Sequence, residues 1–335
     1  VWYNQENKKG RGFMLNIALI GTWHVHFDQY AREIKENPNC EIYGIWDPDK
    51  SKAEEKAKEY GTFAFDNLDD ALESADVDGI VISTATNMHT DIIIKAAENK
   101  KHIFTEKVLC FTVGEAKRIR ESVKRNNIKF CISYPWRTRS DFLWIKEAMD
   151  NKLIGDVTYL RIRNCHDGAS TGWLPPHFFD LEECGGGAMM DLGAHPMYLI
   201  RWLLGRPKSI TSTFTKVTGK EVEDNAVSVL EYEDGAIAVS ETGFVSSHNP
   251  FSFEASGTKG TIYAGGYTNN CVYNIGEGWV EPELKEPLPI PSTMWIDGII
   301  DDLEIPFDID SAYDLTELMD YAYKSYESGT KVNLY

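Results

Sequence analysis

Between Leu15 and Tyr134 the sequence alternates short apolar runs with amphipathic stretches, and few folds accommodate that rhythm. Strands read at "LNIALIG", "EIYGIWD", "VDGIVIST", "KHIFTEK" and "KFCISY". Helices read at "FDQYAREIKEN", "KSKAEEKAKEYG", "DALESAD", "HTDIIIKAAENK" and "VGEAKRIRESVKRNN". Strands separated by helices of this length form βαβ units, which build a parallel sheet through right-handed crossovers. The expectation is an α/β protein whose residues 14–135 form a doubly wound domain.

After "SDFLWIKEAMDNKLIG" the texture changes. "DVTYLRIRN", "SITSTFTKVTG", "AVSVLEYEDGAIAVSETG" and "FSFEASGTKGTIYAGG" alternate with period two between Asp-Gly and Lys-Gly turns. That pattern marks a sheet with one packed face. Residues 136–335 are therefore expected to form a C-terminal α+β domain with a large, mainly antiparallel open sheet. Its inserts are a loop, "HDGASTGWLPPHFFDLEECGGG", a helix, "AMMDLGAHPMYLIRWLLG", and a last helix, "SAYDLTELMDYAYKSYESG". Residues 1–13 are polar and patternless and read as a mobile extension, with Met14 looking like a natural start.

Composition narrows the partners. Lys plus Arg number 34 against 52 Asp plus Glu, a formal net charge of −18, and such a field repels nucleic acid and anionic lipid. Six cysteines occur without a C-x-x-C pair, the usage of reduced thiols in a cytoplasmic protein. No apolar run reaches the ~18 residues of a membrane span.

"NIALIGTWHVH" opens as a nucleotide-binding strand and turn, yet Trp23 and His26 occupy the second and third glycine positions of G-x-G-x-x-G. Asp47, at the end of the second strand, suits an adenosine ribose and disfavours the extra phosphate of NADP; it also suits an ordinary Asp-Pro turn. "STATNMH" ends the next strand at the ligand-binding side of such a sheet, or simply caps a helix. Lys107 leaves a strand end, either as a rim charge or as a functional cation. Asp191 and His195 are spaced i, i+4, so a helix would place them on one face as an acid–base pair or as a capped core histidine. His166, Asp167, Trp173 and His177 suit sugar recognition by stacking and paired hydrogen bonds, or anchor a surface loop. His166, His177, Asp191 and His195 could also hold a metal, but no tight ligand spacing supports it, and no metal is expected.

"HIFTEK", against an E-K-P signature, and "GGGAMMDLGAH", against G-G-G-x-x-x-D-x-G-x-H, together with the order of domains, resemble the Gfo/Idh/MocA oxidoreductases over nearly all of residues 15–335. The resemblance implies an N-terminal Rossmann domain, a second domain whose open sheet pairs subunits into homodimers or homotetramers, and NAD as cofactor. It assigns Lys107, Asp191 and His195 to catalysis and, with the loop residues above, to substrate binding. It places Arg137 near the cofactor, and with the residues read above the expected cofactor set is Gly21, Trp23, His24, His26, Asp47, Ser83, Thr84, Asn87, His89, Glu106, Lys107 and Arg137. The implied reaction moves hydride between nicotinamide and a secondary hydroxyl or keto carbon of a sugar, inositol or glycoside. Relatives that cleave glycosides through transient oxidation with tightly bound NAD offer a second reading, and a non-catalytic sensor or scaffold a third. Two departures accompany the reduced glycine loop. Val108 replaces the signature proline, which disfavours a cis bond by roughly 2 kcal/mol or more, so a trans peptide is expected. Tyr198 stands where a carboxylate is frequent.

Overall fold

The computed structural model describes residues 14–248, 251–266 and 270–334; the expectation of a mobile extension over 1–13 lies outside the described residues. The chain divides into two compact units. The first holds the described residues through Leu109, Gly114–Ser133 and Leu288–Ala312. The second holds Cys110–Val113, Tyr134–Pro287 and the residues from Tyr313 onward.

In the first unit β1 (Leu15–Ile20), α1 (Phe27–Glu36), β2 (Cys40–Trp46), α2 (Lys50–Tyr60), β3 (Phe63–Ala64) and α3 (Leu68–Glu73) are followed by β4 (Gly79–Ile82), α4 (His89–Glu98), β5 (His102–Thr105), α5 (Val113–Asn126) and β6 (Phe130–Ile132). The strands pair in parallel, in the order β3-β2-β1-β4-β5-β6. This is the expected doubly wound sheet. Every residue of β4 is buried, because helices on both faces of a parallel sheet leave its central strands without a solvent side. Local chemistry sets the helix ends. Asp49 caps α2 by accepting from Ser51 N–H, Asn67 caps α3, and Gly61 closes α2 in a left-handed conformation.

A helix at Pro291–Ile300 also belongs to this unit. Sequence reasoning missed it because it is buried nearly all round, and an all-round apolar helix carries no stripe to detect. Its Trp295, fully buried, packs 5.9 Å from the Phe104 ring of β5.

The second unit contains α6 (Ser140–Asp150), β7 (Val157–Cys165), the short α7 (Gly168–Thr171) and α8 (Leu181–Cys184), α9 (Ala194–Leu204), β8 (Ser209–Thr215), β9 (Asn225–Glu231), β10 (Ile237–Gly243), β11 (Phe251–Gly257), β12 (Thr261–Gly265), β13 (Asn270–Asn274) and β14 (Val332–Asn333). Most of a long helix, Ile309–Ser328, precedes β14 in this unit. The eight strands run β13-β12-β11-β7-β10-β9-β8-β14. Only β7 and β10 pair in parallel; all other neighbours are antiparallel. The mainly antiparallel open sheet is thus as expected.

One local expectation fails. The helix read from Ala188 begins at Ala194, and residues 188–193 form successive turns. Gly193 N–H reaches back five residues to Ala188 O, and His195 N–H only three, to Leu192 O, so the regular helical ladder starts after the glycine. Among the described residues no helix is long and apolar enough to cross a membrane.

Trp295→Ala removes the largest fully buried side chain of the first unit and should cost about 3–5 kcal/mol. Thermal unfolding of the variant is expected to start well below wild type; an unchanged midpoint would show that this helix is not part of the core.

Candidate functional site

The C-terminal ends of β1, β2 and β4 converge on Gly21. Its φ of +83° favours glycine, and a Cβ there would lie 2.4 Å from Thr84 Cγ2 and 2.7 Å from Thr84 Cα. The loop runs directly against the end of β4. His24 N–H donates to Ser83 O at 3.0 Å, and α1 begins at Phe27, so Trp23 to His26 are loop rather than helix. Asp47 is buried; its Oδ2 accepts from both Thr22 N–H and Thr22 Oγ1 at 2.7 Å, and its Oδ1 accepts from Asp49 N–H at 2.8 Å. Its carboxylate thus ties the loop to β2 and keeps lone pairs for a further donor.

Ser83 Oγ and Thr84 Oγ1 are buried with no hydrogen-bond partner within the protein. Buried hydroxyls are ordinarily paired, and two orphans beside Gly21, at the strand ends where such sheets bind ligands, fit a nucleotide. Asn87 lies exposed in the turn Thr86–Met88. His89 is fully buried, its Nδ1 3.0 Å from Val108 O and its Nε2 3.3 Å from Thr84 O. Burial pushes its pKa down, against the pull of these carbonyls.

The turn after β5 carries the densest chemistry. Glu106 Oε1 accepts the Lys107 N–H at 2.8 Å, and Oε2 lies 2.9 Å from His26 Nδ1 and accepts the Tyr30 hydroxyl. Tyr30 also bonds Ser133 Oγ at 2.8 Å. Burial opposes ionisation of Glu106, yet His24, His26 and Lys107 hold its carboxyl well below the usual range. Burial, then the neighbouring Glu106, pushes the Tyr30 hydroxyl well above its ordinary value. Lys107 is itself buried. The Lys107–Val108 bond is cis, which corrects the trans expectation; the turn is held by the Glu106 carboxylate on one side and by His89 against Val108 O on the other.

In the second unit His195, buried in the first turn of α9, bonds Tyr198 Oη through Nδ1 at 3.0 Å and stacks on Trp136, with centroids 5.1 Å apart and planes at 19°. A hydroxyl proton directed at Nδ1 leaves Nε2 carrying the ring proton, the tautomer that donates to a substrate oxygen. Asp191 is half-buried in the turns before α9, so it does not share a helix face with His195. Arg137 places its guanidinium 4.9 Å over the Trp202 ring. In the expected sugar loop His166 stacks on Phe244 and lies 4.6 Å from Trp173, while Asp167 accepts from Trp173 Nε1 at 3.0 Å and from Ser247 Oγ at 2.9 Å. These bonds lower the Asp167 pKa, that of Trp173 first. His166, Asp167 and Trp173 form one cluster. His177 sits in a separate turn, Pro176–Phe179, beside Phe178.

Sequence reasoning missed Thr22, Tyr30, Ser133, Trp136, Glu223 and Tyr323. Glu223, buried between β8 and β9, accepts from Gly187 N–H at 2.9 Å, Met189 N–H at 3.0 Å and Tyr323 Oη at 2.7 Å through one oxygen. A Cβ on Gly187 would lie 2.0 Å from Glu223 O, which explains that glycine. The only sequence signal was a charged residue at a strand approach, far from its partners in number.

Residues 15–134 match the model of an oxidoreductase family with an NAD-binding Rossmann fold, and 142–263 match the GFO/IDH/MocA C-terminal domain. A myo-inositol 2-dehydrogenase of Thermotoga maritima is 26% identical over 259 residues, 75% of this chain and 74% of that protein. A scyllo-inositol 2-dehydrogenase (NAD(+)) of Bacillus subtilis is 27% identical over the same shares. An NAD-binding protein from Listeria innocua has a similar structure, with a TM-score of 0.83 at 22% identity over 95% of this chain and 96% of that one.

Glu223→Ala strands two backbone N–H groups and a tyrosine hydroxyl, with an expected loss on the order of 3 kcal/mol. Limited proteolysis should then cut within residues 185–193 sooner than in wild type; an unaltered cleavage pattern would remove Glu223 from the account of that turn.

Proposed function

The chain belongs to the Gfo/Idh/MocA oxidoreductases, and from that premise we propose that it is an NAD-dependent dehydrogenase of a secondary hydroxyl on a sugar, inositol or glycoside. The observation that carries this reading is the turn after β5, where a buried Lys107 follows a carboxylate that fixes its backbone. Bound NAD supplies the hydride acceptor. Lys107 as a cation stabilises the developing alkoxide. His195, oriented by Tyr198 and Trp136, exchanges a proton with the substrate oxygen, and Asp191 adds its carboxylate to the same chemistry.

Gly21, Thr22 and the hydroxyls of Ser83 and Thr84 support a nucleotide at the strand ends, with Trp23, His24, His26, Asn87 and His89 around it and Arg137 a further contact. Asp47 supports NAD over NADP, since a second carboxylate-facing phosphate is repelled. The His166, Asp167 and Trp173 cluster supports a polyhydroxylated substrate, with His177 a further contact. Named inositol dehydrogenases among the relatives favour the same class. The half-exposed Val227, Ile237 and Tyr263 on the outer face of the open sheet support a homodimer or homotetramer, and six buried free thiols support the cytoplasm.

Titration with NAD and NADP is expected to give tighter binding of NAD; equal affinities would sink the assigned preference. Turnover on a panel including myo- and scyllo-inositol should fall by about 10²–10⁴-fold in Lys107→Ala, with NAD affinity largely kept. Full activity in that variant would overturn the mechanism.

A further inference from the structure

We propose that His24, His26 and Glu106 form a binding site for one divalent first-row cation of the zinc class. One nitrogen from each imidazole and a Glu106 oxygen all lie within 4.8 Å of one another. His26 Nδ1 is 2.9 Å and His24 Nδ1 3.6 Å from Glu106 Oε2. Two such ligands on a tetrahedral or octahedral ion sit roughly 2.9–3.6 Å apart, given bond lengths near 2.0–2.2 Å. The donors therefore stand at coordinating separation without rearrangement of the backbone.

Three further features fit a metal site. The Glu106 carboxylate is oriented from behind by Lys107 N–H and by Tyr30, which is itself bonded to Ser133, the outer-shell support that ligating carboxylates have. His24 Nδ1 accepts the backbone N–H of His26 at 3.2 Å, so that nitrogen is unprotonated, and an ion bound there displaces this long bond from its one lone pair. The His26 side chain is 40% exposed whereas His24 and Glu106 are buried, which leaves one side open to a water or a ligand oxygen. On coordination the ion replaces the hydrogen between His26 Nδ1 and Glu106 Oε2, and that proton leaves to solvent. Two imidazoles and one carboxylate suit zinc-class ions over Mg²⁺ or Ca²⁺, which favour all-oxygen sets.

The site also accounts for the departure in the loop. Where the G-x-G-x-x-G motif has its last glycine, this chain has the second member of an H-x-H pair aimed at a buried carboxylate. His24, His26 and Glu106 are also among the residues assigned to the cofactor, so zinc and NAD are titrated separately.

The test uses the purified full chain, stripped with chelator and titrated with ZnCl₂ by calorimetry, with elemental analysis after gel filtration. One equivalent per chain is expected, and MgCl₂ should not compete. Glu106→Gln and His26→Gln should each weaken Zn²⁺ by more than the roughly 10–100-fold that loss of an outer-shell partner costs. If Glu106→Gln does not fold, as judged by circular dichroism, His26→Gln at the half-exposed ring decides alone. No stoichiometric uptake, or uptake undiminished in the folded variants, overturns the site and leaves a hydrogen-bonded network only. NAD titration of the same samples separates the readings: zinc binding without NAD binding counts against the dehydrogenase and not against the metal.

Discussion

The first unit is organised around a single buried carboxylate. Glu106 stands at the end of β5 with donors on both oxygens: the Lys107 amide on one, His26 and Tyr30 on the other. A buried charge is tolerated only when it is fully hydrogen-bonded, so each donor is held as firmly as the acid. The arrangement links three separate segments: the loop after β1, helix α1 and the turn carrying the lysine. The conformation of the turn carrying Lys107 is therefore fixed by residues that lie 76 to 80 positions earlier in the chain.

The second unit solves the same problem in the same way. Glu223 gathers Gly187 N–H, Met189 N–H and a tyrosine hydroxyl on one oxygen, and thereby fixes the glycine-rich turn that leads to Asp191 and His195. In both units a tyrosine hydroxyl donates to the carboxylate, and desolvation followed by that negative neighbour drives each phenol's pKa far up. Such a tyrosine stays a donor at any working pH, and in a low-dielectric interior its bond to a charged acceptor is stronger than in water.

The legible part of the sequence was whatever repeats locally. Parallel strands read as continuous apolar runs and the open sheet as period-two alternation. The two-residue β3 was too short to carry a pattern. The helix at Pro291–Ile300 was too evenly apolar to show a face. Asp191 and His195 were found by their residue types, but the i, i+4 rule assumed a helix that the turns around Gly193 replace. Tyr198 was noted for its place three residues after His195, but Trp136, which stacks on the imidazole, was beyond reach because it lies about sixty positions away in the chain.

The loop after β1 shows how a turn can keep its path when its motif weakens. Glycines serve a nucleotide turn by letting backbone approach phosphate, and only Gly21, packed on Thr84, meets a clash that demands glycine. The two later positions are free to carry side chains once another interaction sets the loop's path. Asp47 sets it from one end by holding Thr22, and Glu106 from the other by holding His26. With both ends tied by carboxylates the turn no longer relies on glycine for its shape, and Trp23 and His26 mark a change in how the loop is held.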